Sequence, residues 1–161
     1  MERIWSPWRM DYIRVAKDRP GSCIFCELPA RGDDVAALVL TRADHAFLMM
    51  NSFPYNPGHL MAAPFRHIGA FEELTDDEIV DLGRLLQAGI RALRREMEPD
   101  GYNVGMNLGR VAGAGFPDHL HWHVVPRWDG DTNFMPVVGE TRVVPELVEQ
   151  TYRRLAPRFT G

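Results

Sequence analysis

Residues 119–125 read His-Leu-His-Trp-His-Val-Val, a strict alternation of imidazole and apolar side chains. On a β-strand successive side chains point to opposite faces. A strand here gathers His119, His121 and His123 on one face and turns Leu120, Trp122 and Val124 to the other. A helix would spread the three imidazoles around its girth. The segment therefore predicts a strand over His119–Pro126, apolar on one side and ionisable on the other.

Apolar runs at 36–40, 46–50 and 59–63 are short and bounded by Gly, Pro, Asn and Asp. The turn Asn51–Gly58 separates the last two, and all three predict strands of a meander. Thr75-Asp76-Asp77-Glu78 is a capping-box pattern, in which the Thr hydroxyl accepts from a free backbone N–H and Glu78 reaches back. Ile79, Leu82, Leu86, Ile90, Leu93 and Met97 then form one apolar stripe, until Pro99-Asp100-Gly101 ends the helix. Tyr102–Leu108 predicts another strand, joined to the histidine strand by the glycine-rich loop Gly109–Asp118. A last amphipathic helix is expected over Pro145–Leu155, with proline at its first position. Residues 1–35 read as an aromatic, turn-rich arm, with a helical turn at Tyr12–Lys17 stopped by Pro20-Gly21. The expected class is α+β, an antiparallel sheet with helices on one face, in a single domain over residues 1–161.

At 45% apolar and 25% charged residues the chain can bury a core, which argues against disorder. A net charge of −4 argues against a nucleic-acid polymer as partner. No apolar run reaches the roughly 20 residues that span a bilayer, and residues 1–8 lack a signal-peptide pattern, so a cytoplasmic protein without membrane contact is expected.

Three imidazoles on one face suit chemistry at phosphorus. A neutral imidazole nitrogen is a nucleophile, its second nitrogen needs an acceptor to fix the tautomer, and a neighbouring histidine can protonate the leaving oxygen. Gly109, Gly113 and Gly115 lie just upstream, where backbone N–H groups can meet phosphate oxygens. A plain wet surface strand is the bland alternative. A single metal ion bound by all three histidines is a poor one, because such residues span roughly 13 Å at 3.3 Å per residue.

With Trp counted as apolar, His119–Val125 resembles the signature of the histidine triad family, His-φ-His-φ-His-φ-φ with φ apolar. Asn51, Pro57-Gly58-His59-Leu60-Met61 and Pro64-Phe65-Arg66-His67 extend the resemblance, which spans about residues 23–130. It implies a five-stranded antiparallel sheet with two main helices, in a homodimer that extends the sheet. It implies His121 as the nucleophile that forms a nucleotidyl-histidine, His123 as the α-phosphate and leaving-group contact, and His119 as the supporting histidine. Asn51 would bind the ribose, and Asn107 stands where one branch places a phosphate-contacting glutamine. Gly115 would serve the phosphate through its backbone, and Trp128 would cover an adenine or the mouth of the site. Where many members have Gly-Gln-Ser/Thr before the triad, this chain has Ala114-Gly115-Phe116-Pro117-Asp118.

Trp5-Ser6-Pro7-Trp8-Arg9-Met10, this loop, and Pro126-Arg127-Trp128-Asp129-Gly130 with Asp131-Thr132-Asn133-Phe134 look like the bacterial diadenosine-tetraphosphate phosphorylase branch. That resemblance implies a dinucleoside polyphosphate as substrate and inorganic phosphate as acceptor, with no organic cofactor. Hydrolysis by water of a dinucleoside polyphosphate or a nucleoside phosphoramidate, and a nucleotide sensor with negligible turnover, stay as alternatives. The resemblance also pairs Cys23-x-x-Cys26 with His67 and His119 as a structural Zn²⁺ set. A reduced thiol pair is the alternative, since no βαβ context suggests redox chemistry.

Overall fold

The computed structural model describes residues 23–131 and 146–159. The expected helical turn at Tyr12–Lys17 and the Trp5–Met10 segment lie outside them. Strands β1 (Val39–Arg42), β2 (Ala46–Met50), β3 (Leu60–Pro64), β4 (Gly101–Met106) and β5 (Trp122–Arg127) form one sheet in the order β1-β2-β3-β5-β4. Every pairing is antiparallel. Helices α1 (Ile24–Ala30), α2 (Asp76–Met97) and α3 (Val148–Leu155) complete the described elements.

Alternation along the strands divides the molecule into two layers of core. Leu48, Met50, Leu60, Ala62 and Val124 face α2 and α3, where they pack with Leu82, Leu85, Leu93, Tyr152 and Leu155. Phe47, Met49, Met61 and Ala63 face the other way and pack with Phe25 of α1. This corrects the expectation that helices cover one face only. The sequence also missed α1, because Pro29 lies inside it. In a helix of seven residues a proline in the last turn removes one backbone bond and the chain stops soon after.

α2 opens as its capping box requires: Glu78 N–H donates to Thr75 Oγ1 at 3.2 Å, and Thr75 N–H donates to Glu78 Oε2 at 2.8 Å. Its buried face runs through Leu82, Leu85, Gly89, Ala92 and Leu93, while Ile79, expected in the stripe, is 43% exposed. Gly89 explains the rotation. A Cβ there would stand 2.9 Å from Leu60 Cδ1, so the glycine line marks the closest approach of helix to sheet. α3 starts at Val148, not at the expected Pro145, which lies outside the described residues.

Arg66 donates to Glu78 at 2.9 and 2.8 Å and to the Glu73 carbonyl at 2.8 Å. The Arg66 bonds, with those from Thr75, hold the Glu78 carboxyl at about 2. Its contribution is then complete above 4.5, the ordinary value, and fades as pH falls towards 2. Glu78→Gln should cost about 1–2 kcal/mol at neutral pH. Thermal melts across pH check this: the gap from wild type should close between pH 4.5 and 2, and a gap independent of pH would refute the ion-pair account.

Candidate active site

The expected strand over His119–Pro126 begins only at Trp122. The ladder to β3 stops there because β3 ends in Pro64, which has no N–H to offer. Leu120 N–H bonds instead to the Ile68 carbonyl at 2.7 Å, and the Pro64 carbonyl is taken by His119 Nε2 at 2.9 Å. The three histidines nevertheless stay together, His119 and His121 buried and His123 half-buried. The His121 and His123 rings meet edge-on at 5.0 Å.

The partners of each ring assign its tautomer. His121 Nδ1 lies 2.8 Å from the His119 carbonyl, an acceptor only, so Nδ1 carries the proton and Nε2 keeps its lone pair. Burial pushes the His121 pKa below its ordinary value, against the carbonyl bond that raises it, and favours this neutral form. His59, fully buried just before β3, accepts from Tyr55 N–H through Nδ1 at 3.2 Å. Its Nε2–H therefore donates to His123 Nδ1 at 2.9 Å. His123 is left with Nε2 as its N–H donor. One face of the sheet thus presents an imidazole acceptor beside an imidazole donor, a pairing suited to nucleophilic attack and to stabilising a leaving oxygen by a hydrogen bond.

The sequence motif Pro57–Met61 contains His59 without pointing to a role for it. The signal was available in parity: Met61 pairs with His123, and His59 lies two residues before Met61 on the same face.

His119 faces a second cluster. Because Nε2–H is committed to the Pro64 carbonyl, its Nδ1 lone pair points to Cys23 Sγ at 3.2 Å, Cys26 Sγ at 3.4 Å and His67 Nδ1 at 3.3 Å. Burial, with His67 and His121 nearby, pushes the His119 pKa down to about 4 despite the Pro64 bond, so the ring is neutral, the form a metal requires. The four ligand atoms all lie within 4.8 Å of one another, close enough to hold a metal ion. Burial pushes the Cys23 thiol up to about 11, against the backbone N–H of Cys26, which favours the thiolate. A dication reverses that preference by stabilising the thiolate.

The remaining candidates divide. Asn107, with Gly105 and Gly113, lines a cavity of about 640 Å³ that opens beside His123. Asn51 makes a turn, its Oδ1 accepting from Phe53 N–H at 2.9 Å, and its amide nitrogen stands 3.3 Å from His59 Nδ1. Gly115 is exposed on the loop before the histidines. Trp128 is not brought to them: its indole N–H donates to the Met97 carbonyl, at the C-terminal end of α2. Among the described residues no helix is long and apolar enough to cross a membrane.

Residues 33–130 match the description of the HIT domain. An AP-4-A phosphorylase of Mycobacterium tuberculosis is 42% identical over 166 residues, covering 99% of this chain and 85% of that protein. A Zn-bound histidine triad family protein from Mycobacterium smegmatis superposes with a TM-score of 0.66 at 24% identity, over 85% of this chain and 92% of that one. A hypothetical histidine triad nucleotide-binding protein from Sulfolobus tokodaii gives 0.67 at 22% identity, over 84% and 91%. With its five-stranded antiparallel sheet and its histidine site, the chain belongs to the HIT family and is an enzyme of that family's nucleotidyltransferase and hydrolase kind.

Proposed function

We propose that this protein cleaves dinucleoside polyphosphates at the α-phosphorus, with diadenosine tetraphosphate as substrate and inorganic phosphate as acceptor. The observation that carries this reading is the complementary pair of tautomers, Nε2 of His121 as acceptor and Nε2–H of His123 as donor. In the first step His121 Nε2 attacks the α-phosphorus. A P–N bond forms, the bridging P–O bond breaks with its electron pair going to the departing ATP, and His123 Nε2–H donates a hydrogen bond to that leaving oxygen. In the second step an oxygen of inorganic phosphate attacks the same phosphorus, the P–N bond breaks, and ADP leaves. His119 is a positioning residue, acting through its carbonyl. Asn107 and the backbone of Gly115 are read as phosphate contacts, and Asn51 as a ribose contact that also steadies His59. The 42% identity to a protein named AP-4-A phosphorylase supports this choice of substrate and acceptor.

Cys23, Cys26, His67 and His119 are read as a structural zinc set. Two thiolates and two imidazoles suit tetrahedral Zn²⁺, and four protein ligands leave no open position for chemistry. When bound, the ion cross-links α1 to the segment that enters β5. The same reading makes the chain a single domain working in the cytoplasm as a homodimer. Strand β4 lies at the sheet edge with Val104 exposed, a place where a second sheet can add, and light scattering gives the mass that checks it.

The purified protein should convert diadenosine tetraphosphate to ATP and ADP only when inorganic phosphate is present, as followed by chromatography. AMP and ATP formed without phosphate would replace the phosphorylase reading by a hydrolase. Bound nucleotide with no products would leave a sensor.

A further inference from the structure

Phe25 lies between the two cysteines of the knuckle and is 1% exposed. Its ring stacks on the imidazole of His121, centroids 4.5 Å apart and planes 27° from parallel. It also lies against His119 at 5.3 Å, and meets Phe116 edge-on at 5.7 Å. His123 touches the His121 ring only edge-on, at 77°. The bond from His121 Nδ1 to the His119 carbonyl fixes the tautomer but leaves the ring able to tilt about it. The reactive lone pair lies in the ring plane, so a tilted ring aims it away from the phosphorus. A flat apolar face across one side of the imidazole removes that tilt.

What holds Phe25 in place is not its own helix. α1 has seven residues, too few to persist unaided in water. Its first turn is anchored where Cys23 and Cys26 meet His119 and His67, at 3.2 to 3.4 Å. We propose that Phe25 is a positioning residue for His121, and that a metal held by Cys23, Cys26, His67 and His119 fixes its place. Metal occupancy then tunes the transfer step without an atom of the cluster touching substrate. This rests on the reading of His121 as nucleophile.

The test is Phe25→Leu, which keeps an apolar side chain of similar bulk but no flat ring. The variant should purify with zinc at the wild-type ratio and keep its KM for diadenosine tetraphosphate within about twofold, while kcat falls about ten- to hundred-fold. In NMR spectra the imidazole C–H signals of His121 should move downfield, having lost the ring current of Phe25. Chelating the metal from wild type, below its melting temperature, should move the same signals the same way. Chelation of the leucine variant should add little. Unchanged kcat with zinc retained would overturn the role of Phe25, and signals unmoved by chelation would overturn the link to the metal. A wild-type protein silent on every dinucleotide would count against the proposed function instead, and the NMR arm would still decide whether Phe25 and the metal hold the ring.

Discussion

His121→Ala should abolish turnover, lowering kcat by on the order of 10⁴-fold or more. The imidazole supplies the only acceptor nitrogen of the pair, since His123 Nδ1 is occupied by His59. The fold should survive, because the backbone bond beside residue 121 runs from Leu120 N–H to the Ile68 carbonyl, and the variant loses only the single bond from His121 Nδ1 to the His119 carbonyl. Two measurements check this: steady-state kinetics with a thermal melt, and quenching of wild type in alkaline denaturant during turnover with α-phosphate-labelled substrate. The quench should recover label on a histidine in an acid-labile linkage, and none in the variant. A variant that retains a tenth of the activity, or label on another residue, would refute the assignment.

Loss of the proposed zinc should be the second large effect. Cys26→Ala, or prolonged chelation, should lower the melting temperature by about 10 °C or more, as a structural ion worth several kcal/mol requires in a domain of this size. Zinc measured by elemental analysis should fall in parallel, and added zinc should restore the chelated protein but not the variant. A protein that purifies without metal and melts at the same temperature after chelation would remove zinc from the account.

Those features were legible in the sequence that rest on a short-range rule. Alternation over residues 119–125 told which side chains share a face, because parity survives even where the ladder breaks. Thr75 and Glu78 announced the start of α2, since a capping box is made wholly within four residues. The unreadable features depend on distant partners. The start of β5 is set by Pro64, the tilt of α2 by the contact of Gly89 with Leu60, and the helix at Ile24–Ala30 by packing on the far layer. The tautomers of His121 and His123 were equally out of reach. They follow from a carbonyl two residues back and from a histidine 64 positions away. The four proposed metal ligands came from family likeness, and the structure supplied the reason they converge: His119 spends its other nitrogen on Pro64.

Arg66 and His67 are adjacent, yet they serve opposite layers. Arg66 clasps the capping carboxylate of α2, and His67 faces Cys26 of the knuckle that seals the other side of the sheet. One peptide unit therefore rivets the two cores together. A fluctuation that loosens the long helix pulls on the cysteine knuckle as well, so neither layer has a private way of breathing. The molecule is built to open as a whole or to stay shut.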